Sequence, residues 1–138
     1  VIVHGTEGHL IPDLLAREKI PVITGPALGD RSKPELANMT LENPAILWKA
    51  GVRFAICTDH PEVPIQYLPL CAALAVKGGL DPEEALAAIT VTAARIAGLD
   101  GALGSLAPGR EADIVVTDRH PLELLGQVRA VFMGGRRI

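Results

Sequence analysis

The chain has 138 residues, a formal charge of -3 at neutral pH and a hydrophobic fraction of 49%, which fits one globular unit or a piece of a larger one and excludes a disordered chain. Basic residues are scattered, the Arg136-Arg137 pair aside, so small polar molecules rather than nucleic acid are the expected partners. No apolar run reaches the roughly 20 residues that span a bilayer, and the opening lacks a charged leader followed by a long apolar core, so no membrane association and a cytoplasmic location are expected.

Val1-Ile2-Val3 reads as a buried strand without methionine, polar leader or cap before it, the texture of a strand cut from a longer chain. It ends at His4-Gly5-Thr6. His9 to Lys19 reads as a helix with Leu10, Leu14 and Leu15 on one face. Ile20 to Thr24 is the next strand, and it runs into a long loop holding Gly25-Pro26, Gly29-Asp30 and the polar stretch Arg31 to Glu35; loops of that length often cover a site. Pro44 opens a helix through Ala50, Gly51 stops it, and Val52 to Cys57 forms a third strand ending in Thr58-Asp59-His60. Helices are predicted from about Gln66 to Lys77, over Pro82 to Ile89 with Asp81 as cap and Glu84 near N3, and over Val91 to Ala97.

From Gly98 onward glycines, Pro108 and short alternating runs replace helical periodicity. Ala112 to Asp118 and Val128 to Met133 read as strands joined through a turn-rich loop at His120-Pro121, and Gly134-Gly135 turns into a last strand, Arg136 to Ile138. Three short strands make a poor independent sheet, so their edges are expected to pair with a missing half of the protein or with another copy in a homo-oligomer. Residues 1–97 and 98–138 are the two expected units. Cys57 and Cys71 lie in apolar runs without CxxC spacing and read as reduced core residues.

Apolar strands alternating with helices imply an α/β fold with a parallel sheet, and in that class the active groups sit past the carboxyl ends of the strands. That places His4, the loop from Gly25 to Glu35, and Asp59-His60 at one mouth. A His and a carboxylate there can bind a divalent metal, which lowers the pKa of bound water from about 15.7 to roughly 7. Two ligands are too few for a catalytic zinc, so more would come from strands preceding Val1. On spacing alone the plainer alternative is favoured, with His4 a hydrogen-bonded strand-end histidine and Asp59 the N-terminal cap of a helix.

Four segments carry a resemblance: VIVHGTE (Val1 to Glu7), GVRFAICTDHP (Gly51 to Pro61), ALAAIT (Ala85 to Thr90) and GSLAPGREADIVV (Gly104 to Val116). In order and character they resemble landmarks of the imidazolonepropionase-like branch of the amidohydrolase superfamily, with Arg110 where the family's turn motif carries lysine. The resemblance implies the carboxyl-terminal part of a TIM-type (β/α)8 barrel, strands six to eight, followed by helices and a small β-sandwich segment. It implies hydrolysis of a C–N bond in a small amide, cyclic or dipeptide-like, by metal-activated water. His4 would be the strand-six ligand; Asp59, ending strand eight, would contact the metal or its water, act as general base and pass the proton to the leaving nitrogen. The cofactor would be a divalent metal, zinc for preference, as one or two ions in the complete protein. The family's strand-one HxH motif and its strand-four and strand-five ligands have no counterpart in these residues.

Around that pair the assignments stay divided. Glu7 and His9 either orient His4 or form a solvated helix start. His60 either meets substrate or packs in a turn before Pro61, and Arg31, Lys33 and Glu35 either recognise an anionic substrate group or are solvated. Asp113 reads as structural, accepting backbone N–H groups as the chain enters a strand, and His120 as a surface turn residue. A non-catalytic assembly module is the competing function. A dinucleotide- or nucleotide-binding domain lacks its glycine turn and P-loop here, and a serine hydrolase lacks its nucleophile elbow.

Overall fold

The computed structural model describes residues 1–138. The first unit is a three-stranded parallel sheet in the order β1 (Ile2–Val3), β2 (Val22–Thr24) and β3 (Phe54–Ile56). Between β1 and β2 runs a 3-10 turn at Gly8–Leu10 and helix α1 (Pro12–Arg17); between β2 and β3 run a 3-10 turn at Pro34–Leu36 and helix α2 (Asn43–Lys49). After β3 come a 3-10 turn at Ile65–Tyr67 and the helices α3 (Leu68–Lys77), α4 (Pro82–Ala88) and α5 (Val91–Ala97). The second unit is an antiparallel sheet of β4 (Ile114–Thr117), β5 (Val128–Met133) and β6 (Arg136–Arg137).

Parallel register places Val3 level with Ile23, and Ile23 level with Ala55, so the three strands end together at one edge. Their chemistry explains the layering. β3 is buried throughout, β2 nearly so, and β1 is exposed along its whole length. Leu47, Val22, Phe54, Ile56, Cys71, Ala72 and Ala85 form the centre of the core, with α2, α3 and α4 supplying the cover. Small residues on α3 and α4 let these short helices lie close against each other and the sheet.

The expected helix from His9 to Lys19 is split. Its first turn is 3-10 and α1 begins at Pro12, because the residue before a proline is crowded out of the α region; Ile11 accordingly sits at φ -136, ψ 40. Of the three leucines expected on one helix face, only Leu15 is buried, while Leu10 and Leu14 are exposed together with Val1, Val3 and Ile11. Helix α3 starts at Leu68 rather than near Gln66: Ile65–Tyr67 forms a 3-10 turn ahead of it, and Pro69 occupies its first turn.

Asp81 caps α4 as expected, accepting from the amides of Glu83 (2.9 Å) and Glu84 (3.3 Å). Asp113 accepts from the amide of Gly134 at 2.7 Å, tying the turn before β4 to the β5–β6 hairpin. The loop between β4 and β5 is more than a surface turn. Leu122 inserts into the main core, and His120 Nε2 lies 3.6 Å from Glu83 Oε1 on α4, docking the antiparallel unit onto the helices.

Candidate active site

At the common edge where the parallel strands end, two residues adopt a backbone conformation that side chains ordinarily avoid. His4, directly after β1, has φ 57, and Asp59, beyond β3, has φ 52. Each left-handed residue costs on the order of 1–3 kcal/mol, which the surrounding structure must offset. The third such residue, Lys19 at φ 51, follows the end of α1, where a left-handed residue closes a helix. His4 and Asp59 close no helix. The chain after Asp59 turns back through Glu62 N–H to Asp59 O (2.8 Å) and Val63 N–H to Thr58 O (3.2 Å), so the Asp59 carboxylate caps nothing and is left facing the mouth.

These conformations aim the two side chains at each other: His4 Nε2 stands 3.6 Å from Asp59 Oδ1, with both side chains about half exposed. That is too long for a hydrogen bond. It is close to the separation of two donors on one tetrahedral zinc, which bonds of about 2.0–2.2 Å place roughly 3.4 Å apart. The donor set therefore fits two coordination positions of a divalent metal. No group of three or more His, Cys, Asp or Glu side chains converges anywhere in the chain, so these residues alone do not complete a catalytic site.

The pair opens onto a cleft of about 520 Å³ whose polar walls include Glu7, Asp30, Lys33, Glu35 and Glu62. The long loop after β2 supplies the far wall. Glu7 Oε1 accepts from the amide of Asn38 at 2.8 Å, so this residue pins the loop to the turn after β1 instead of touching His4. Asp30 is held below the usual carboxylate range by hydrogen bonds from the Ser32 side chain and amide, a closed turn that leaves it little basicity.

The three residues assigned to substrate recognition separate. Lys33 lines the cleft. Arg31 turns away, donating from Nη2 to Met39 O at 2.8 Å beside a separate depression shared with Thr40 and Lys77. His60 is exposed and forms no part of the cleft wall. His9 contributes through its backbone, its N–H donating to Asn43 Oδ1 at 2.8 Å. Behind the site Cys57 and Cys71 are unpaired, and burial pushes both thiols above the ordinary value of 9.0.

Asn43 escaped the sequence reading altogether. An Asn beside Pro44 at a helix start signals a helix opening, and no periodicity marks it as the fully buried polar group that it is, 1% exposed.

A parallel α/β sheet with a His and an Asp side chain converging at its carboxyl edge has polar groups where enzymes of this class carry their active groups. Residues 7–138 match the amidohydrolase family, and the chain belongs to it. It is 44% identical over 70 residues to the imidazolonepropionase of Geobacillus kaustophilus, an alignment taking in 49% of this chain and 16% of that protein. Among solved structures, an amidohydrolase from Thermotoga maritima superposes with a TM-score of 0.94 at 41% identity, over 99% of this chain and 36% of that one. An adenosine deaminase from Xanthomonas campestris with bound Zn shares the fold, with a TM-score of 0.65 at 24% identity over 98% of this chain and 36% of that chain. The chain thus spans well under half the length of each relative.

Proposed function

We propose that this chain supplies strands six to eight of a (β/α)8 barrel, in residues 1–97, and part of a small β-domain, in residues 98–138, of a hydrolase acting on a C–N bond of a small cyclic or dipeptide-like amide. His4 and Asp59 would hold a divalent metal, zinc for preference. The observation that carries the reading is the 3.6 Å convergence of the two side chains from left-handed positions at the ends of two strands.

When bound, the metal supplies a water acidic enough to be deprotonated at neutral pH, and polarises the substrate carbonyl. Asp59 takes the water proton on its carboxylate and, one step later, delivers it to the departing nitrogen, which would otherwise leave as an unstable amide anion. His4 would hold the metal through Nε2 and so help fix the position at which attack occurs. The cleft walls orient the amide, with Lys33 as the cationic group for a carboxylate or carbonyl on the substrate.

Two ligands leave positions to be filled by other segments, and the exposed β1, with Val1, Val3, Leu10, Ile11 and Leu14 around it, is the surface such segments would cover. The same bare edge favours the second reading, an assembly module that pairs with another copy and does no chemistry of its own. Zinc titration of the chain, beside a His4→Ala, Asp59→Ala double variant, separates them. Weak zinc binding at a single site, lost in the double variant, is expected. Equal uptake by both proteins, or none by either, would leave the assembly reading.

A further inference from the structure

We propose that Asn43 is a positioning residue for His4, a role that rests on His4 being a metal ligand. Asn43 belongs to α2, yet its side chain serves the strand ends. Its Nδ2 donates to Gly5 O (2.9 Å) and to Thr24 Oγ1 (2.7 Å), and its Oδ1 accepts from His9 N–H (2.8 Å). A carbonyl can only accept and an amide N–H can only donate, so these partners admit one orientation of the carboxamide.

The three partners lie on three elements that frame His4. Gly5 follows it, Thr24 ends the neighbouring strand, and His9 sits in the turn leading to α1. The peptide after His4 is held further by Gly5 N–H to Ile23 O (3.0 Å) and by Thr6 N–H to His4 O (2.7 Å). Gly5 also presses on β2 so closely that a Cβ there would fall 2.3 Å from Val22 Cγ1. A left-handed histidine relaxes unless the chain on its far side is fixed, and the part-buried Asn43–Gly5 bond is the side-chain contact that fixes it. Losing it frees the His4 ring from its place beside Asp59 while most of the core stays intact.

Two variants divide this role from plain stabilisation. Asn43→Asp keeps an acceptor for His9 N–H but cannot donate to Gly5 O; Thr24→Val removes the Thr24–Asn43 bond and leaves the donation to Gly5 in place. Amide exchange by NMR at Gly5 and Thr6, referred to Ala72 in α3, and zinc titration are the readouts. Asn43→Asp is expected to speed exchange at Gly5 and Thr6 beyond any change at Ala72 and to weaken zinc about tenfold or more, whereas Thr24→Val shifts all three amides together and leaves zinc within about twofold.

Asn43→Ser, which introduces no charge and falls short of Gly5 O, carries the same expectation if the aspartate variant does not fold. Uniform exchange changes in the Asn43 variants, with zinc affinity tracking stability alone, would overturn the proposal. A His4→Ala variant that keeps wild-type zinc affinity would instead remove His4 as a ligand, and the exchange measurement would still decide whether Asn43 holds that peptide.

Discussion

Gly78, at the end of α3, backs directly onto the carbonyl of Leu41: a Cβ at this position would lie 2.0 Å from Leu41 O and 2.4 Å from its carbon. Its φ of -77 is open to any residue, so contact alone demands glycine. The neighbouring Gly79 is the converse, with φ 96 and nothing within 4 Å. Gly79→Ala should cost about 1–3 kcal/mol through backbone strain. Gly78→Ala must also push the Leu41–Glu42 backbone away and loosen the loop that walls the cleft. Limited proteolysis between residues 26 and 42 should accelerate in Gly78→Ala and not in Gly79→Ala; the opposite order would refute the contact argument.

Lys33 and Arg31 are close in sequence and differ in surroundings, Lys33 lining the cleft and Arg31 bonded to Met39 O. Lys33→Ala should leave the urea midpoint within the range of ordinary surface changes, about 0.5 kcal/mol either way. In the assembled enzyme it should raise KM for substrates bearing a carboxylate more than it lowers kcat. Arg31→Ala breaks the bond to Met39 O, and the loss of about 0.5–1.5 kcal/mol should appear in loop stability, with KM following only as the loop loosens. Parallel kinetics and urea unfolding of the two variants check the split.

Burial raises both thiols above 9.0, so the folded chain keeps them neutral where the unfolded chain begins to ionise them. A raised acidic group contributes its stability in full below the unfolded value and loses it as pH climbs through the folded one. Stability should therefore fall from about pH 9 upward, and a Cys57→Ala, Cys71→Ala double variant should lose less over that interval. Urea midpoints at neutral pH and near pH 10 measure it; identical alkaline losses in the two proteins would assign the effect to other groups.

Much of the local structure was legible in the residues. The β-branched run Val22–Thr24 and the apolar run Phe54–Ile56 form strands, Gly51 ends α2, Asp81 caps α4, and Gly134-Gly135 turns β5 into β6. Each signal acts over a few residues, through side-chain shape, a cap bond or an available left-handed backbone, and so is written where it operates. The strand-end rule and the family resemblance both drew attention to His4 and Asp59, but spacing could not say that the two side chains meet.

Other features arise only when distant segments come together. The parallel register brings His4 to 3.6 Å from Asp59, buries Leu15 while leaving Leu10 and Leu14 exposed, and draws Asn43 off its own helix to Gly5 and Thr24. Loop closure sends Lys33 to the cleft and Arg31 to Met39, and folds Leu122 into a core to which no sequence pattern assigned it. The sequence by itself determined which runs become strands, helices and turns and which residue types stand at the strand ends, because those depend on neighbours along the chain. Which of these residues face one another, and which polar group is buried to hold them, was decided by tertiary structure, because contact and desolvation depend on neighbours in space.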